Sequence, residues 1–187
     1  AGSTTVGDGS IGRIAFITNI SAVAGAITAM VLSWSRYKKP DVTMSLNGAL
    51  AGLVAITAGC ANVSWGGALI IGIMAGVLVT LSIIFIDTKL KIDDPVGAIA
   101  VHGINGLFGA IAVGLFATDG GLFFGGGAAM LGTQALGVLV IGTFSFTITF
   151  VLMKIMKKTI GIRISKQEES AGIDAVSFGV EAYSTFE

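Results

Sequence analysis

The stretch GALIIGIMAGVLVTLSIIFI (67–86) contains 20 residues and no Asp, Glu, Lys or Arg. A helix needs about 20 consecutive apolar residues to cross the hydrocarbon core of a bilayer, whereas the apolar helices buried in soluble domains are usually shorter. The stretch therefore predicts one membrane-spanning helix, and it sets the class of fold in which the rest of the chain is interpreted.

The uncharged run that contains this stretch begins at residue 42, and three more such runs occupy 14–35, 95–118 and 120–153. The polar, glycine-rich segment NVSWGG (62–67) divides the longest run into two, and the glycines early in the last run mark a loop. The pattern predicts an all-α integral membrane protein with five transmembrane helices, near 14–35, 44–62, 67–86, 95–118 and 132–155.

The composition excludes several other classes of protein. Charged residues make up 12% of the 187 residues and apolar residues 53%, whereas a soluble domain has roughly 25% charged residues. The formal net charge is zero, so no basic surface predicts nucleic-acid binding. There is no GxSxG motif, and the one His is not joined by an intramembrane acid. We therefore expect no enzyme activity, no cofactor and no metal site.

The basic residues predict the orientation of the chain. Ten of the eleven Lys and Arg residues follow the first, third and fifth spans, and only Arg13 lies on the opposite side. The positive-inside rule makes the richer side cytoplasmic. We expect a multi-pass plasma-membrane domain over 1–163, with its N-terminus outside, and a cytoplasmic tail over 164–187. Five spans with an external N-terminus also suggest that at least one helix precedes this sequence.

Small residues are expected to bring the helices together, because apolar burial cannot drive helix association in lipid. The pairs Gly48/Gly52 and Gly72/Gly76 form small-xxx-small faces, and glycines recur at 103, 106 and 109. Asp94 is expected to cap the fourth span, with Pro95 in its first turn. For the polar groups within spans, the commoner expectation is a hydrogen bond across helices; these groups are Asn19, Asn47, Thr57 and Gln134.

His102 lies eight residues into the fourth predicted span, and Asn105 partly shares its face. An ionisable residue at that depth predicts a functional role by default. A neutral imidazole can donate through one nitrogen and accept through the other, so it could line a path for protons or ammonia. The alternative is a packed histidine that is hydrogen-bonded to a neighbouring helix. The residues alone favour a channel-like path for a small, neutral species.

Two long motifs carry a resemblance to a known family. DDPVGAIAVHGING (93–106) and SLNGALAGLVAITAGC (45–60), together with the opening AGS (1–3), resemble the Amt/Mep/Rh ammonium transporters, in particular the bacterial or archaeal Amt branch. The resemblance implies the second part of an eleven-helix inverted-repeat fold, from the end of span six through span eleven. It also implies a homotrimer with one pore per subunit, which this chain would complete only with the N-terminal half.

The resemblance further implies how such a pore works and which residues serve it. Ammonium, or its analogue methylammonium, is recruited and deprotonated outside, and ammonia then passes through an apolar pore lined by histidines. By position in the motifs, His102 matches the second pore histidine, Ala98 and Thr57 match positions at the pore, and Ser3 matches the outer recruitment site. The protein is expected to have no partner among nucleic acids and to reside in the lipid bilayer.

The tail carries a weaker likeness. Gly172, Asp174 and Tyr183 resemble the family's regulatory tail, which contacts neighbouring subunits and could receive a PII-type regulator. The segment between them, Phe178-Gly179-Val180, departs from the family's usual His-Gly-Glu. This departure keeps an alternative open, in which the chain is an Amt-like ammonium sensor that signals through its cytoplasmic tail.

Overall fold

The structure is a computed structural model that describes residues 9–180. These residues are almost entirely helical, with one isolated bridge between Val63 and Ala117 and no strand within the described range. The α-helices are α1 (Ile11–Tyr37), α2 (Val42–Thr57), α3 (Trp65–Phe85), α4 (Asn105–Phe116), α5 (Ala129–Thr159) and α6 (Lys166–Ala171). The predicted all-α membrane class is confirmed. The predicted residues Ser3 and Tyr183 lie outside the described residues.

Four helical segments within the described residues are long and apolar enough to cross a membrane: Ile11–Tyr37, Trp65–Leu90, Ile99–Phe116 and Ala129–Thr159. The fifth, α2, is apolar but has only 16 residues. It ends at Thr57, whereas the span predicted from composition extends to residue 62. A turn follows α2, and the Ser64 side chain then caps α3 by accepting from Gly67 N at 3.1 Å. The uncharged run thus continues beyond the end of the helix, and for this reason composition alone places the end of the span too late.

The chain divides into two compact units, Ala1–Val140 and Ile141–Glu187. In the first, α1, α2 and α3 pack backbone to backbone. A Cβ on Gly25 would collide with the Gly48 carbonyl, and a Cβ on Gly52 or Gly72 would collide with the carbonyl of Ser21. These contacts confirm the small-xxx-small faces on α2 and α3. The buried Ser21 Oγ also donates to Gly52 O at 2.8 Å, so a hydrogen bond reinforces the crossing of α1 with α2.

Helix α2 runs parallel to the fourth spanning segment, Ile99–Phe116. A Cβ on Gly106 would lie 3.8 Å from a Val54 methyl, and a Cβ on Gly109 only 2.5 Å from Ala55 O. Farther along both segments, Val63 bridges Ala117. Residue numbers thus increase in the same direction along both elements. Gly103 differs from Gly106 and Gly109, because a Cβ there would meet only Ile99 of its own segment.

The start of the fourth segment differs from the prediction in one respect. Asp94 caps it as expected, since its Oδ2 accepts from Ile99 N at 3.0 Å. Pro95 does not occupy the first helical turn, however. It lies in a separate turn with Val96, and Gly97 reverses the chain with φ +71° before helical structure begins at Ala98. A positive φ is costly for residues with a Cβ, which explains the glycine at this position.

The second unit contains the last part of α5 and the tail. None of the described residues of α5 is buried. Helix α6 begins with a capping box in which Ser165 Oγ accepts from Glu168 N at 3.2 Å and Glu168 Oε2 accepts from Ser165 N at 2.7 Å. The hydrogen bond that the Ser165 backbone N–H donates to the Glu168 carboxyl, and secondarily one from the Ser165 side chain, lower the pKa of this carboxyl from its ordinary value of 4.5.

Candidate functional site

His102 lies within a π-helical turn, Ile99–Ile104, that leads directly into α4. A π-helical turn contains an extra residue relative to the α-helix, and such turns occur frequently at functional sites. The carbonyl of Ala100 accepts twice here, from the backbone N–H of Asn105 and from its side-chain Nδ2 at 2.9 Å. The side chain of Asn105 therefore braces the turn that contains His102.

The side chains of His102, in the turn, and Asn105, directly after it, differ in burial. Asn105 is fully buried, with 0% of its surface exposed, whereas His102 is exposed. The Asn105 Oδ1 atom has no hydrogen-bond partner among the described residues. The sequence spacing of three predicts that His102 and Asn105 partly share a face; this is wrong, because the π register replaces the regular α-helical spacing at this point.

The other predicted pore positions, Ala98 and Thr57, are also exposed. Ala98 precedes His102 by four residues on the same segment. Thr57 ends a stripe of exposed positions on α2 that is otherwise apolar and comprises Leu46, Leu50 and Leu53. The structure thus places all three predicted residues at exposed positions on two adjacent, parallel segments, although no hydrogen bond joins them within the described range.

These residues occupy different levels along the helices. Ala55 lies beside Gly109, which follows His102 by seven residues. Thr57 therefore lies roughly 10 Å or more farther along the helix axis than His102. Ala98 lies about one helical turn on the other side of His102. The three positions are spread along the length of the two segments rather than gathered at one point.

Polar side chains within the spans bond mostly to their own helices. Thr57 Oγ1 donates to Leu53 O at 2.7 Å, and Asn19 Nδ2 donates to Ala15 O at 2.9 Å. The expectation of hydrogen bonds across helices is wrong for these two residues. Ser21, which sequence reasoning did not single out, makes such a bond instead. Its position in α1 opposite a glycine of α2 could not be inferred from the spacing within α1 alone.

At the end of α3, Asp87, Asp93 and Asp94 line a cavity of about 250 Å³ together with Ile83, Ile86, Ile92 and Pro95. Its acidic residues do not form a set that could hold a metal ion, and no such set occurs elsewhere among the described residues. Cys60 is buried and free. The described residues thus show exposed positions along a membrane segment rather than a metal centre.

The predicted tail residues are exposed where they are described. Gly172 ends α6 with φ +89°, and Asp174 begins a π-helical turn, Asp174–Phe178. Gly179 closes this turn with φ +68° and donates its N–H to Ala175 O at 3.2 Å. Phe178-Gly179-Val180, where the sequence departs from the family pattern, therefore lies at the end of this local turn.

Comparisons with known proteins agree with this architecture. The model of the Ammonium Transporter Family matches residues 1–183. Ammonium transporter Amt2 of Archaeoglobus fulgidus is 42% identical over 186 residues, which cover 92% of this chain and 39% of the relative. The ammonium transporter of Bacillus subtilis is 36% identical, over 97% of this chain and 46% of the relative. These names describe transporters, which confirms the expectation that the chain is not an enzyme.

Solved structures give the same picture. A protein described as a sensor Amt protein superposes with a TM-score of 0.82 at 35% identity, over 93% of this chain and 43% of that one. Mep2 of Candida albicans superposes with a TM-score of 0.76 at 29% identity, over 83% of this chain and 37% of that one. The chain spans about two fifths of the length of these relatives. On this evidence, the chain belongs to the Ammonium Transporter Family.

Proposed function

We propose that the protein containing this chain transports ammonium or ammonia across the plasma membrane, and that α2 and the Ile99–Phe116 segment supply one wall of its pore. His102, Ala98 and Thr57 line this wall. The observation that carries the proposal is the exposure of His102 on a segment whose neighbouring exposed residues, Ile99 and Leu107, are apolar. The names of the relatives supply the substrate class.

The chemistry of the three residues suits a small neutral base. Ammonia can accept or donate a hydrogen bond, and a neutral imidazole such as that of His102 offers both functions. The Thr57 hydroxyl hydrogen is committed to Leu53 O, so its oxygen remains as an acceptor. Ala98 adds a small apolar surface. An apolar wall makes a bare cation costly, so ammonium gives up its proton outside, where Ser3 contributes to recruitment.

The assembled pore needs more than this chain. We infer that an N-terminal half supplies the opposite wall and that three copies assemble, each with its own pore. The basic loops then lie on the cytoplasmic side with the tail. Gly172, Asp174 and Tyr183 belong to that tail, which contacts neighbouring subunits and could receive a PII-type regulator. The exposure of the described tail residues supports such contacts.

The test is uptake of labelled methylammonium by the full-length protein in liposomes. His102→Ala removes both hydrogen-bonding nitrogens, so flux or selectivity between ammonium and methylammonium is expected to change. Gln134→Ala on α5 removes a different intramembrane polar group and serves as the matched control, with wild-type behaviour expected. Unchanged flux and selectivity in His102→Ala would contradict the assigned role of the histidine.

A second candidate function is ammonium sensing. The likeness to a sensor Amt protein and the unusual sequence Phe178-Gly179-Val180 at the end of the tail turn support it. A sensor would bind ammonium and change the environment of its tail without carrying flux. A fluorophore on the tail of the liposome-reconstituted protein, read alongside uptake, separates the two functions. Flux without a tail response supports transport, and a tail response without flux supports sensing.

A further inference from the structure

A crevice of about 310 Å³ lies between the ends of α1 and α3 that follow their apolar stretches. None of its lining residues belongs to α2 or to the Ile99–Phe116 segment, which form the proposed pore wall. Three apolar and three polar or charged residues line it: Leu32, Leu81, Ile84, Ser35, Thr80 and Arg36. Ser35 and Arg36 both lie near the C-terminal end of α1, at the membrane boundary where a lipid headgroup meets its acyl chains.

Arg36 is available for a ligand at this position. Among residues 9–180 no carboxylate forms an ion pair with it. Its Cζ lies 5.8 Å from the centre of the Tyr37 ring, a cation–π distance that holds the guanidinium without neutralising it. The nearest acid along the sequence, Asp41, accepts from Met44 N at 2.9 Å as the cap of α2. An unpaired guanidinium presents parallel donors that match the oxygens of a phosphate.

The crevice also offers an apolar surface on which an acyl chain could lie. Leu81 is 58% exposed along it. Thr80 is buried, and its hydroxyl already donates to Gly76 O at 2.8 Å, so it does not demand a polar partner. Lys38 and Lys39 follow Arg36 after Tyr37 in the sequence and add positive charge at the same membrane boundary. Basic crevices between spanning helices on the cytoplasmic side are typical sites for anionic lipid headgroups.

We propose that this crevice binds an anionic phospholipid of the cytoplasmic leaflet. Arg36 and Ser35 hold its phosphate, and the first part of one acyl chain lies against Leu32, Leu81 and Ile84. The choice of leaflet rests on the proposed orientation, whereas the binding itself does not require transport. The charge of Arg36 selects anionic over zwitterionic lipid, since a zwitterionic headgroup carries a cation that the guanidinium repels.

The test is a titration of the full-length, detergent-solubilised protein with phosphatidylglycerol or phosphatidylcholine, followed by native mass spectrometry. Phosphatidylglycerol is expected to bind more tightly. Arg36→Gln should weaken its first binding event about five-fold, with phosphatidylcholine unaffected. Lys39→Ala, which removes an adjacent charge outside the crevice, is the matched control and should weaken binding less than Arg36→Gln.

A second variant tests the crevice rather than the charge. Leu81→Trp fills the space between α1 and α3 and should weaken phosphatidylglycerol binding while Arg36 is still present. The proposal is overturned if Arg36→Gln and wild type bind phosphatidylglycerol equally, if Lys39→Ala loses as much as Arg36→Gln, or if Leu81→Trp binds normally. Lipid binding by His102→Ala should match wild type, so failure of the pore assignment and failure of the lipid site are distinguished.

Discussion

Replacing Asn105 with Ala removes the side chain that braces the turn containing His102. The variant loses the 2.9 Å hydrogen bond from Nδ2 to Ala100 O, and such a bond contributes about 1 kcal/mol to stability. It also removes Oδ1, which is buried without a partner, and an unpaired buried acceptor costs on the order of 1–3 kcal/mol. The two effects oppose each other, so the free energy of unfolding should change by no more than about 2 kcal/mol.

The effect on the proposed pore should be much larger. Without the brace, the hydrogen bonds of the π turn can shift to the α-helical register. This shift of one residue rotates the residues that precede Asn105 by about 100° about the helix axis. His102 would then turn away from the pore wall. We expect Asn105→Ala to change methylammonium flux or selectivity to the same extent as His102→Ala, while its unfolding temperature stays near that of the wild type.

The matched control is Asn19→Ala. Asn19 also donates to its own helix, to Ala15 O at 2.9 Å, but from the exposed face of the regular helix α1. Its removal should leave uptake unchanged. Wild-type uptake by Asn105→Ala would refute the argument that the brace orients His102. A large fall in unfolding temperature, with uptake lost in proportion to folded protein, would instead show a merely structural role.

Three further variants test the helix packing and the tail. Gly52→Ala forces a Cβ into the backbone of α1 and should lower stability by about 1–3 kcal/mol in a denaturant titration, whereas Gly12→Ala, with open space around it, should be neutral. Arg13→Gln loses two hydrogen bonds, at 3.0 and 3.1 Å, to carbonyls of the α2–α3 connection; faster amide exchange in that connection is expected, and unchanged exchange would contradict it. The lowered pKa of Glu168 means that its cap stabilises α6 above its ordinary pKa and is lost as pH falls through the lowered value. Chemical shifts of the tail amides should report this loss, and Ser165→Ala, which removes the side-chain hydrogen bond and keeps the backbone N–H, should raise that pKa only part of the way toward 4.5.

The positions of charged residues predicted the class of fold because a charge in the hydrocarbon core is costly wherever it occurs. The same signal cannot locate a helix end within an apolar run, which is why α2 stops at Thr57 and not at residue 62. Glycine spacing predicted which faces of α2 and α3 pack against another helix, because the backbone of α1 contacts their glycines directly. It did not predict the exposure of Gly103, because the presence of a neighbour decides whether a glycine packs.

The candidate site was predictable only in part. An imidazole in an apolar run is visible in the sequence, and so are the motifs that include Ala98 and Thr57. The π turn is not visible, because it depends on burying Asn105 against the rest of the helical unit while His102 stays exposed. The hydrogen bond from Asn105 to Ala100 O joins residues that are close in the sequence, but it forms only in that tertiary environment.

The parallel pairing of α2 with the Ile99–Phe116 segment has a consequence for biogenesis. Parallel neighbours cannot be joined by a tight hairpin, so the chain must first return across the bilayer through α3 before the two can meet. Helix α2, with 16 residues, is about 24 Å long, shorter than the hydrocarbon core of about 30 Å. A span shorter than the hydrocarbon core can be accommodated by local thinning of the bilayer or by association with other helices, and both α1 and the Ile99–Phe116 segment supply such contacts to α2. The face of α2 that contacts the Ile99–Phe116 segment therefore gains this partner only after residues 99–116 have been synthesised.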